Sequence, residues 1–260
     1  MTGNVALVLS SSQESSVLKT IGKIGFALVI LLALVGITSV VARFVLTVRF
    51  LIDPSVVDTQ AGDPGAGFNE RYYAHPYLTL LHIVPGFLFM TLGPMQFIAA
   101  IRNRWLNFHR WCGRIYIVAS LVGVLSALVI VPVMPVFGSF TARVAVIFGA
   151  SLFLVSLVKG YLHIRRFEIA EHREWMIRAF AIGLGISTFR VALPVLMLLG
   201  ASFTEAWDTV TWLGFAINLV IAEVWINLTR REAARPVRVP IPAPKIPTGV
   251  IPSAAAAASV

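Results

Sequence analysis

Six long, largely uncharged apolar runs dominate the chain, and charges, prolines or glycines separate them. A helix needs about 20 apolar residues to cross the hydrocarbon core of a bilayer. Each run is long enough to do so, and together they predict an all-α, polytopic transmembrane bundle of six helices, which we number as the first to sixth spans. They lie at about Ile24–Leu46, Tyr77–Ile101, Trp111–Val133, Val144–Leu162, Trp175–Leu199 and Trp207–Thr229.

The two ends of the chain differ in composition from the spans. The first 20 residues are rich in serine, and the tail from Pro236 alternates proline with small residues before an alanine run. Neither composition is that of a segment that forms a packed core. We therefore expect disordered cytoplasmic segments at residues 1–20 and 231–260, and one membrane domain at residues 21–230. The first span is too long for a cleaved secretory signal and lacks a small-residue cleavage site, which predicts a retained anchor.

Composition and charge narrow the class of protein. The 260 residues are 58% hydrophobic and 13% charged, whereas soluble domains carry about 25% charged residues. The chain has 21 Lys and Arg against 12 Asp and Glu, and most of its basic residues flank one side of the spans. By the positive-inside rule this predicts a multi-pass protein of the inner (plasma) membrane with both termini in the cytoplasm. These cations do not form a patch with interleaved aromatics, so we expect no nucleic-acid partner.

The two predicted cytoplasmic turns share a sequence repeat. In the first turn, His109-Arg110 matches His172-Arg173 of the second turn at an offset of 63 positions. The other matches are Ile101-Arg102 with Ile164-Arg165 at the same offset, and Trp111, Arg114 and Tyr116 with Trp175, Arg178 and Phe180 at an offset of 64. Because tryptophan and histidine are rare residues, this agreement predicts that the central four helices form two similar hairpins. Both turns face the cytoplasm, so the hairpins would be related by an axis along the membrane normal.

The repeated histidines are candidate ligands of a cofactor. An axis between the hairpins would bring His109 and His172 to the same depth, which is the arrangement that two axial ligands of one haem iron require. The neighbouring arginines would then pair with haem propionates or with phosphate groups; they are Arg110, Arg114, Arg173 and Arg178. The alternative interpretation is an ordinary membrane interface, in which the arginines contact lipid headgroups and each histidine braces its turn.

Two further ionisable residues lie inside predicted spans. His82, in the outer part of the second span, is a cofactor ligand, a proton carrier, or a neutral imidazole that is hydrogen-bonded to a neighbouring helix. Glu223 lies near the cytoplasmic end of the sixth span, where an unpaired charge would be costly. The depth of Glu223 matches that of Arg114, Arg178 or Lys159. We expect a structural ion pair with one of these cations, and proton coupling is the alternative role of Glu223.

Several of these motifs resemble those of a known family. The family consists of bacterial membrane proteins classed as domain of unknown function 2306. The strings that carry the resemblance are His82-Ile-Val-Pro-Gly86, His109-Arg110-Trp-Cys-Gly113-Arg114 and His172-Arg173-Glu-Trp175. The resemblance covers about residues 75–230 and implies a membrane location without an activity. The four-helix centre with its histidines also resembles, more loosely, the b-type cytochromes, which carry haem inside a membrane bundle.

Two classes of function remain open from the sequence. The first is a membrane protein that binds haem b, with His82, His109 and His172 as candidate ligands, or takes part in membrane redox chemistry with a quinone or another membrane redox protein. The second is a non-enzymatic protein that binds or transports an anionic lipid or a small solute, or assists the assembly of a membrane complex. Motifs of nucleotide-binding proteins, zinc proteases and serine hydrolases are absent from the sequence. The sequence assigns no enzymatic activity.

Overall fold

The computed structural model describes residues 2–55, 68–134 and 139–233. Within these ranges the chain forms nine helices and no strand. The helices are α1 (Thr2–Ile52), α2 (Phe68–Ala74), α3 (Pro76–Gln96), α4 (Ala99–Arg104), α5 (Leu106–Val133), α6 (Phe140–Arg165), α7 (Ile169–Gly183), α8 (Gly185–Leu198) and α9 (Phe203–Ala233). The all-α class that the sequence predicts is confirmed.

Six helical segments are long and apolar enough to cross a membrane, which confirms the six predicted spans. They are Ser16–Ile52, Pro76–Gln96, Leu106–Val133, Phe140–Arg165, Ile169–Leu198 and Phe203–Arg230. The fifth span consists of α7 and α8, which meet at Leu184. Large apolar side chains stay exposed on the outside of the bundle, among them Val118 and Val220. In a bilayer, lipid tails cover such a surface.

Most spans begin or end a few residues away from the predicted bounds, and two of these differences concern the course of the chain. The second span ends at Gln96, because Ile98 has an extended backbone that separates α3 from the short helix α4. Helix α1 begins at Thr2, although the sequence predicts a disordered segment over the first 20 residues. The C-terminal tail that is expected to be disordered lies outside the described residues from residue 234 onward.

The central four spans pack as two hairpins. Among the described helices, the most extensive packing is that of α3 along α5 and that of α6 along α7. Helix α1 covers α3, and α9 packs against α7 and α8. The pairing of neighbouring spans agrees with the two hairpins that the sequence repeat predicts.

Four aromatic side chains fill the space between the central spans, and each comes from a different span. The ring of Phe89 in α3 has its centroid 5.2 Å from that of Tyr116 in α5, 5.8 Å from Phe153 in α6 and 5.5 Å from Phe180 in α7. Phe89 and Phe153 are 64 positions apart in the sequence, and so are Tyr116 and Phe180. The core is therefore built from two pairs of residues that the repeat relates. Such ring pairs add about 0.5–1.5 kcal/mol each beyond the area that they bury.

Close packing at this core leads to a prediction for Gly93 of α3. A Cβ atom at this position would lie 2.3 Å from Phe180 Cε2 and 3.2 Å from Tyr116 Cε2. We expect Gly93→Ala to lower the free energy of unfolding by about 1–3 kcal/mol, because both rings must move. Thermal unfolding of the detergent-solubilised protein measures this change.

The matched control is Gly25→Ala on α1, where an added Cβ meets no atom within 4 Å. This substitution should leave the melting temperature unchanged or raise it, since alanine favours the helix more than glycine does. Equal melting temperatures for the two variants would contradict the packing at Gly93.

Candidate functional site

Both hairpin turns and the C-terminal end of α9 lie at the same end of the bundle, because consecutive spans run in opposite directions. The first turn contains α4 with Arg102 and Arg104, and the second turn follows Arg165 at the end of α6. Helix α9 brings Arg230 to the same end. We call this end of the bundle the basic end.

The two hairpin turns have the same local structure. Helix α5 begins at Leu106 and α7 begins at Ile169, which are 63 positions apart, as the sequence repeat predicts. The two histidines are each the fourth residue of their helix. The His109 amide donates a hydrogen bond of 2.9 Å to the Trp105 carbonyl, and the His172 amide donates one of 3.0 Å to the Glu168 carbonyl. The repeat in the sequence is thus a repeat in the backbone.

The imidazoles of His109 and His172 come close enough to interact electrostatically. They differ in their hydrogen bonds. The Nδ1 atom of His172 lies 2.8 Å from the Gly160 carbonyl of α6. Because a carbonyl only accepts, this nitrogen carries the proton of the neutral ring. The Nδ1 atom of His109 is buried and has no hydrogen-bond partner among the described residues.

Three arginines surround this pair of histidines. Both Arg102 of α4 and Arg110 of α5 interact electrostatically with His109, and Arg102 also interacts with Arg173 of α7. The guanidinium of Arg173 donates a hydrogen bond of 3.2 Å to Thr229 Oγ1 of α9. None of these arginines forms a salt bridge with a carboxylate in the described part of the chain. We call the five residues the basic cluster: Arg102, His109, Arg110, His172 and Arg173.

Three acidic residues of the basic end, Glu168, Glu174 and Glu223, form ion pairs outside the basic cluster. Glu223 of α9 accepts two hydrogen bonds from Arg178, one of them of 3.0 Å between Nη2 and Oε2. Glu174 accepts two from Arg230, and Glu168 Oε2 lies 2.5 Å from His163 Nδ1. The ion pair that the sequence predicts for Glu223 is confirmed, and its partner is Arg178. The guanidinium of Arg178, which the sequence groups with the cofactor-binding arginines, is therefore occupied by carboxylates.

The other paired arginine of the repeat, Arg114, also has a local partner. Its Cζ atom lies 4.8 Å from the centroid of the Trp111 ring, and Arg178 lies 4.6 Å from Trp175 in the same way. A second cation, Lys159 of α6, contacts Trp175 at 4.4 Å. These cation–π contacts keep both arginines along the helix surface, outside the basic cluster.

The charge balance of the two turns is unequal. The sequence has no Asp or Glu between Glu70 and Glu168, so the first turn carries arginines without an acidic residue of its own. The second turn carries three carboxylates, and two of them, Glu168 and Glu174, form ion pairs with nearby cations. The basic cluster therefore draws most of its uncompensated charge from the first turn.

The structure does not bring His82 to the basic cluster. Its Nδ1 atom lies 3.0 Å from the Gly123 carbonyl and 3.1 Å from Ser126 Oγ, both on α5. Gly123 is 14 residues beyond His109 on that helix, or about 21 Å at 1.5 Å per residue. The contacts match the sequence-based alternative of a neutral imidazole that is bonded to a neighbouring helix.

In the part of the chain that the structure describes, two surface depressions lie away from the pair of histidines. One of them, of about 740 Å³, lies beside Trp105, and the other, of about 660 Å³, lies along α9 beside Glu223. Just inside the basic end, the Phe97 ring packs on Phe180 with a centroid distance of 5.2 Å. Among the described residues, no three His, Cys, Asp or Glu side chains form a group that could hold a metal ion. These contacts favour an open binding surface over an enclosed cofactor site.

Sequence analysis assigned no role to three polar residues at the basic end: Arg102, Gln96 and Thr229. Arg102 could have been found, because it belongs to the repeated Ile-Arg pair. Gln96 ends α3, and its Nε2 atom is buried without a hydrogen-bond partner among the described residues. Thr229, which contacts Arg173, lies on α9 outside the repeat. No local signal in the sequence links these last two residues to the histidines.

Six apolar spans, paired hairpins and intramembrane ion pairs define the chain as a polytopic α-helical membrane protein. The family described as "Predicted membrane protein (DUF2306)" matches residues 79–226. This match covers more than half of the chain, and the protein belongs to that family. No curated protein and no solved structure matches it significantly.

The pairing of Arg178 with Glu223 predicts how the two residues depend on each other. We expect Arg178→Gln and Glu223→Gln each to lower the free energy of unfolding by about 1–2 kcal/mol, because each leaves one charge unpaired at a partly buried position. The double variant should lose less than the sum of the two single losses. Thermal unfolding in detergent gives the three values.

The control is Arg230→Gln, since the Arg230 side chain is 59% exposed in its pair with Glu174. Its partner Glu174 is 14% exposed but keeps a second cation, Arg178, at 3.9 Å after this change, so the loss should be smaller. Strictly additive losses at Arg178 and Glu223 would show that the two residues stabilise the fold independently.

Proposed function

We propose that the protein is a non-enzymatic binder of an anionic group, and that the basic cluster holds this group. The observation that carries the proposal is that Arg102 interacts electrostatically with both His109 and Arg173, and Arg110 with His109, while none of these arginines forms a salt bridge with a described carboxylate. Like charges that are held together at the end of a bundle repel one another. A bound anion would remove this repulsion, and it would be recognised by several donors at once.

Phosphate is the chemistry that these donors fit best. A guanidinium presents a rigid fork of N–H groups that matches two oxygens of a phosphate or carboxylate. The cluster lies at the membrane surface, because Arg102 and Arg110 are exposed while His109 and Arg173 are half-buried. Either the phosphate of a lipid headgroup or a free phosphate could reach it there. The two sources are separated by the experiment below.

The same charge distribution supports an orientation in the membrane. The basic end carries most of the Lys and Arg of the chain, and by the positive-inside rule that end faces the cytoplasm of the inner membrane. Both termini would then be cytoplasmic. The bound anion would come from the cytoplasm or from the inner leaflet.

Haem remains the second candidate for this site, because one observation favours it. In this cluster, His172 directs Nδ1 toward a backbone carbonyl, which leaves Nε2 unprotonated and is the usual arrangement of an iron-ligating histidine. The packing described above favours the anion. The protein purified after expression with haem supplied should therefore lack the sharp absorption bands of bis-imidazole haem. If such bands are present and are lost in His109→Ala and His172→Ala, they would support haem binding and a redox partner such as a quinone.

The anion proposal predicts a charge-specific loss of binding. We expect Arg102→Gln and Arg173→Gln each to weaken binding by about tenfold, since one charge-assisted hydrogen bond is worth about 1.5 kcal/mol. Binding is measured as the rise in melting temperature of the detergent-solubilised protein, titrated in one series with phosphatidylglycerol and in another with inorganic phosphate. A response to the lipid alone assigns a headgroup site, and a response to both assigns a general phosphate site.

The control is Arg104→Gln, which removes the same charge from the same turn at an exposed position. This variant should weaken anion binding less than twofold, which corresponds to less than about 0.4 kcal/mol. At moderate ionic strength, salt screens a charge that does not contact the anion. Equal losses in Arg102→Gln and Arg104→Gln, or no response to either phosphate source, would contradict the proposal.

The orientation is tested by reporter fusions. A reporter that is active only in the cytoplasm should be active when fused after Arg231, because the basic end retains its cations on that side. The same reporter inserted at Gly200, in the turn between α8 and α9 at the opposite end, should be inactive. The reverse pattern would show that the bundle has the opposite orientation.

A further inference from the structure

One face of α5 carries polar groups along most of its length. His109, Gly113, Tyr116, Ser120 and Gly123 follow one another at intervals of four and three residues, and residues at this spacing lie on one face of a helix. The stripe continues to Ser126, whose hydroxyl bonds to the Gly123 carbonyl. From His109 to Ser126 it rises about 26 Å, which is close to the roughly 30 Å of the hydrocarbon core.

This face packs against α3. Gly113 lies against Gln96, Tyr116 against Gly93, and Gly123 against Pro85. Near the end opposite the basic end, His82 of α3 reaches Gly123 and Ser126. The interface between the two helices is therefore bounded by one histidine near each end, His109 and His82.

Between and beside the two histidines, buried polar atoms lack protein partners. The side chains of Tyr116 and Ser120 are 2% and 3% exposed. Their hydroxyls face each other one turn apart, but without the geometry of a direct hydrogen bond, and neither has another partner among the described residues. Gln96 Nε2 and His109 Nδ1 are also buried without a hydrogen-bond partner among the described residues. A buried polar atom without a partner costs about 1–3 kcal/mol, and buried water is the usual way in which proteins avoid this cost.

The second hairpin supplies an internal comparison. By the offset of 64, Tyr116 corresponds to Phe180 and Ser120 corresponds to Leu184. The repeat thus keeps the histidine and arginine positions in both copies, but it places polar residues at these two depths only in the first. A purely structural role in packing the core would not require hydroxyls, since Phe180 fills the same position without one.

We propose that the interface of α3 and α5 conducts protons between His82 and the basic cluster, through Ser126, Ser120, Tyr116 and the water molecules that these hydroxyls bind. Chains of hydroxyl, imidazole and water are the groups that carry protons through membrane proteins. A neutral imidazole accepts a proton at one ring nitrogen and releases one from the other. His82 donates from Nδ1 to the Gly123 carbonyl, so its Nε2 is the accepting atom.

The hydrogen bonds between His82, Ser126 and the Gly123 carbonyl are present, and bound water would bridge the hydroxyls of Ser120 and Tyr116. Each transfer would move one proton to the next group and would consume no other reactant. The charged and titratable groups at the two ends differ. No described titratable side chain interacts with His82, whereas His109 faces Arg102, Arg110 and His172. A proton that arrives at His109 therefore meets cations and is released toward the basic end or toward an anion bound there.

The test is proton flux into vesicles of phosphatidylcholine that contain the full-length protein and a pH-sensitive dye. A potassium gradient with valinomycin sets the driving potential. We expect a protein-dependent flux that falls about fivefold or more in Tyr116→Phe and in Ser120→Ala, because each variant removes one hydroxyl from the path. Ser126→Ala should act in the same direction.

The matched control is Ser156→Ala on α6. Ser156 is 4% exposed and donates to the Leu152 carbonyl of its own helix, so its loss should leave the flux unchanged. If Tyr116→Phe fails to fold, Ser120→Ala alone decides. Two results for proton flux would overturn the proposal: a wild-type flux equal to that of empty vesicles, or an unchanged flux in Ser120→Ala. An equal leak of sodium ions would also overturn it, because it would show an unselective pore.

Phosphate binding in Ser120→Ala should remain at the wild-type level. This test is therefore independent of the anion site.

Discussion

Lipid offers no hydrogen bonds and no counterions, and this constraint decides how the helices of the bundle are joined. A polar group within a span must find its partner in the protein or in buried water. The contacts that satisfy this demand are interhelical: Arg178 of α7 with Glu223 of α9, His82 of α3 with the Gly123 carbonyl of α5, and Thr188 of α8 with Asn218 of α9. Because a mispaired polar group costs more than a lost apolar contact, these pairs select one arrangement of helices among many with similar packing.

The repeated hairpins give the bundle a symmetric core and an asymmetric surface. The four rings between the central spans come in two related pairs, so the two hairpins pack alike. The charged residues differ: Arg178 and Glu174 of the second hairpin pair with Glu223 and Arg230 of α9, whereas the first turn has no carboxylate. The two copies therefore have different chemistry at equivalent positions. A site between the two hairpins can then combine the unpaired arginines of the first turn with the histidine and arginine that the second hairpin holds in place.

The sequence predicts the spans well, because their length and composition are set by the thickness of the bilayer. The sequence does not predict the end of α3 at Gln96 or the junction of α7 and α8 at Leu184, because no charged residue marks either position. The register of His109 with His172 follows from the repeat. The partner of Glu223 does not, since Arg114, Arg178 and Lys159 share its depth and only the rotation of each helix decides among them. Gln96 was missed because a glutamine at a helix end has the same pattern as an ordinary interface residue.

His109 belongs both to the basic cluster and to the polar face of α5, so anion binding and proton binding at this residue are thermodynamically linked. An anion bound among Arg102, Arg110 and His172 places negative charge beside the imidazole and favours its protonated form. By linkage, protonation of His109 must favour anion binding by the same free energy. The affinity for the anion would then depend on protons delivered along α5 as well as on the pH at the basic end. Removal of the Tyr116 hydroxyl would slow this delivery but leave the coupling at equilibrium unchanged, because the hydroxyl contacts neither the anion nor His109.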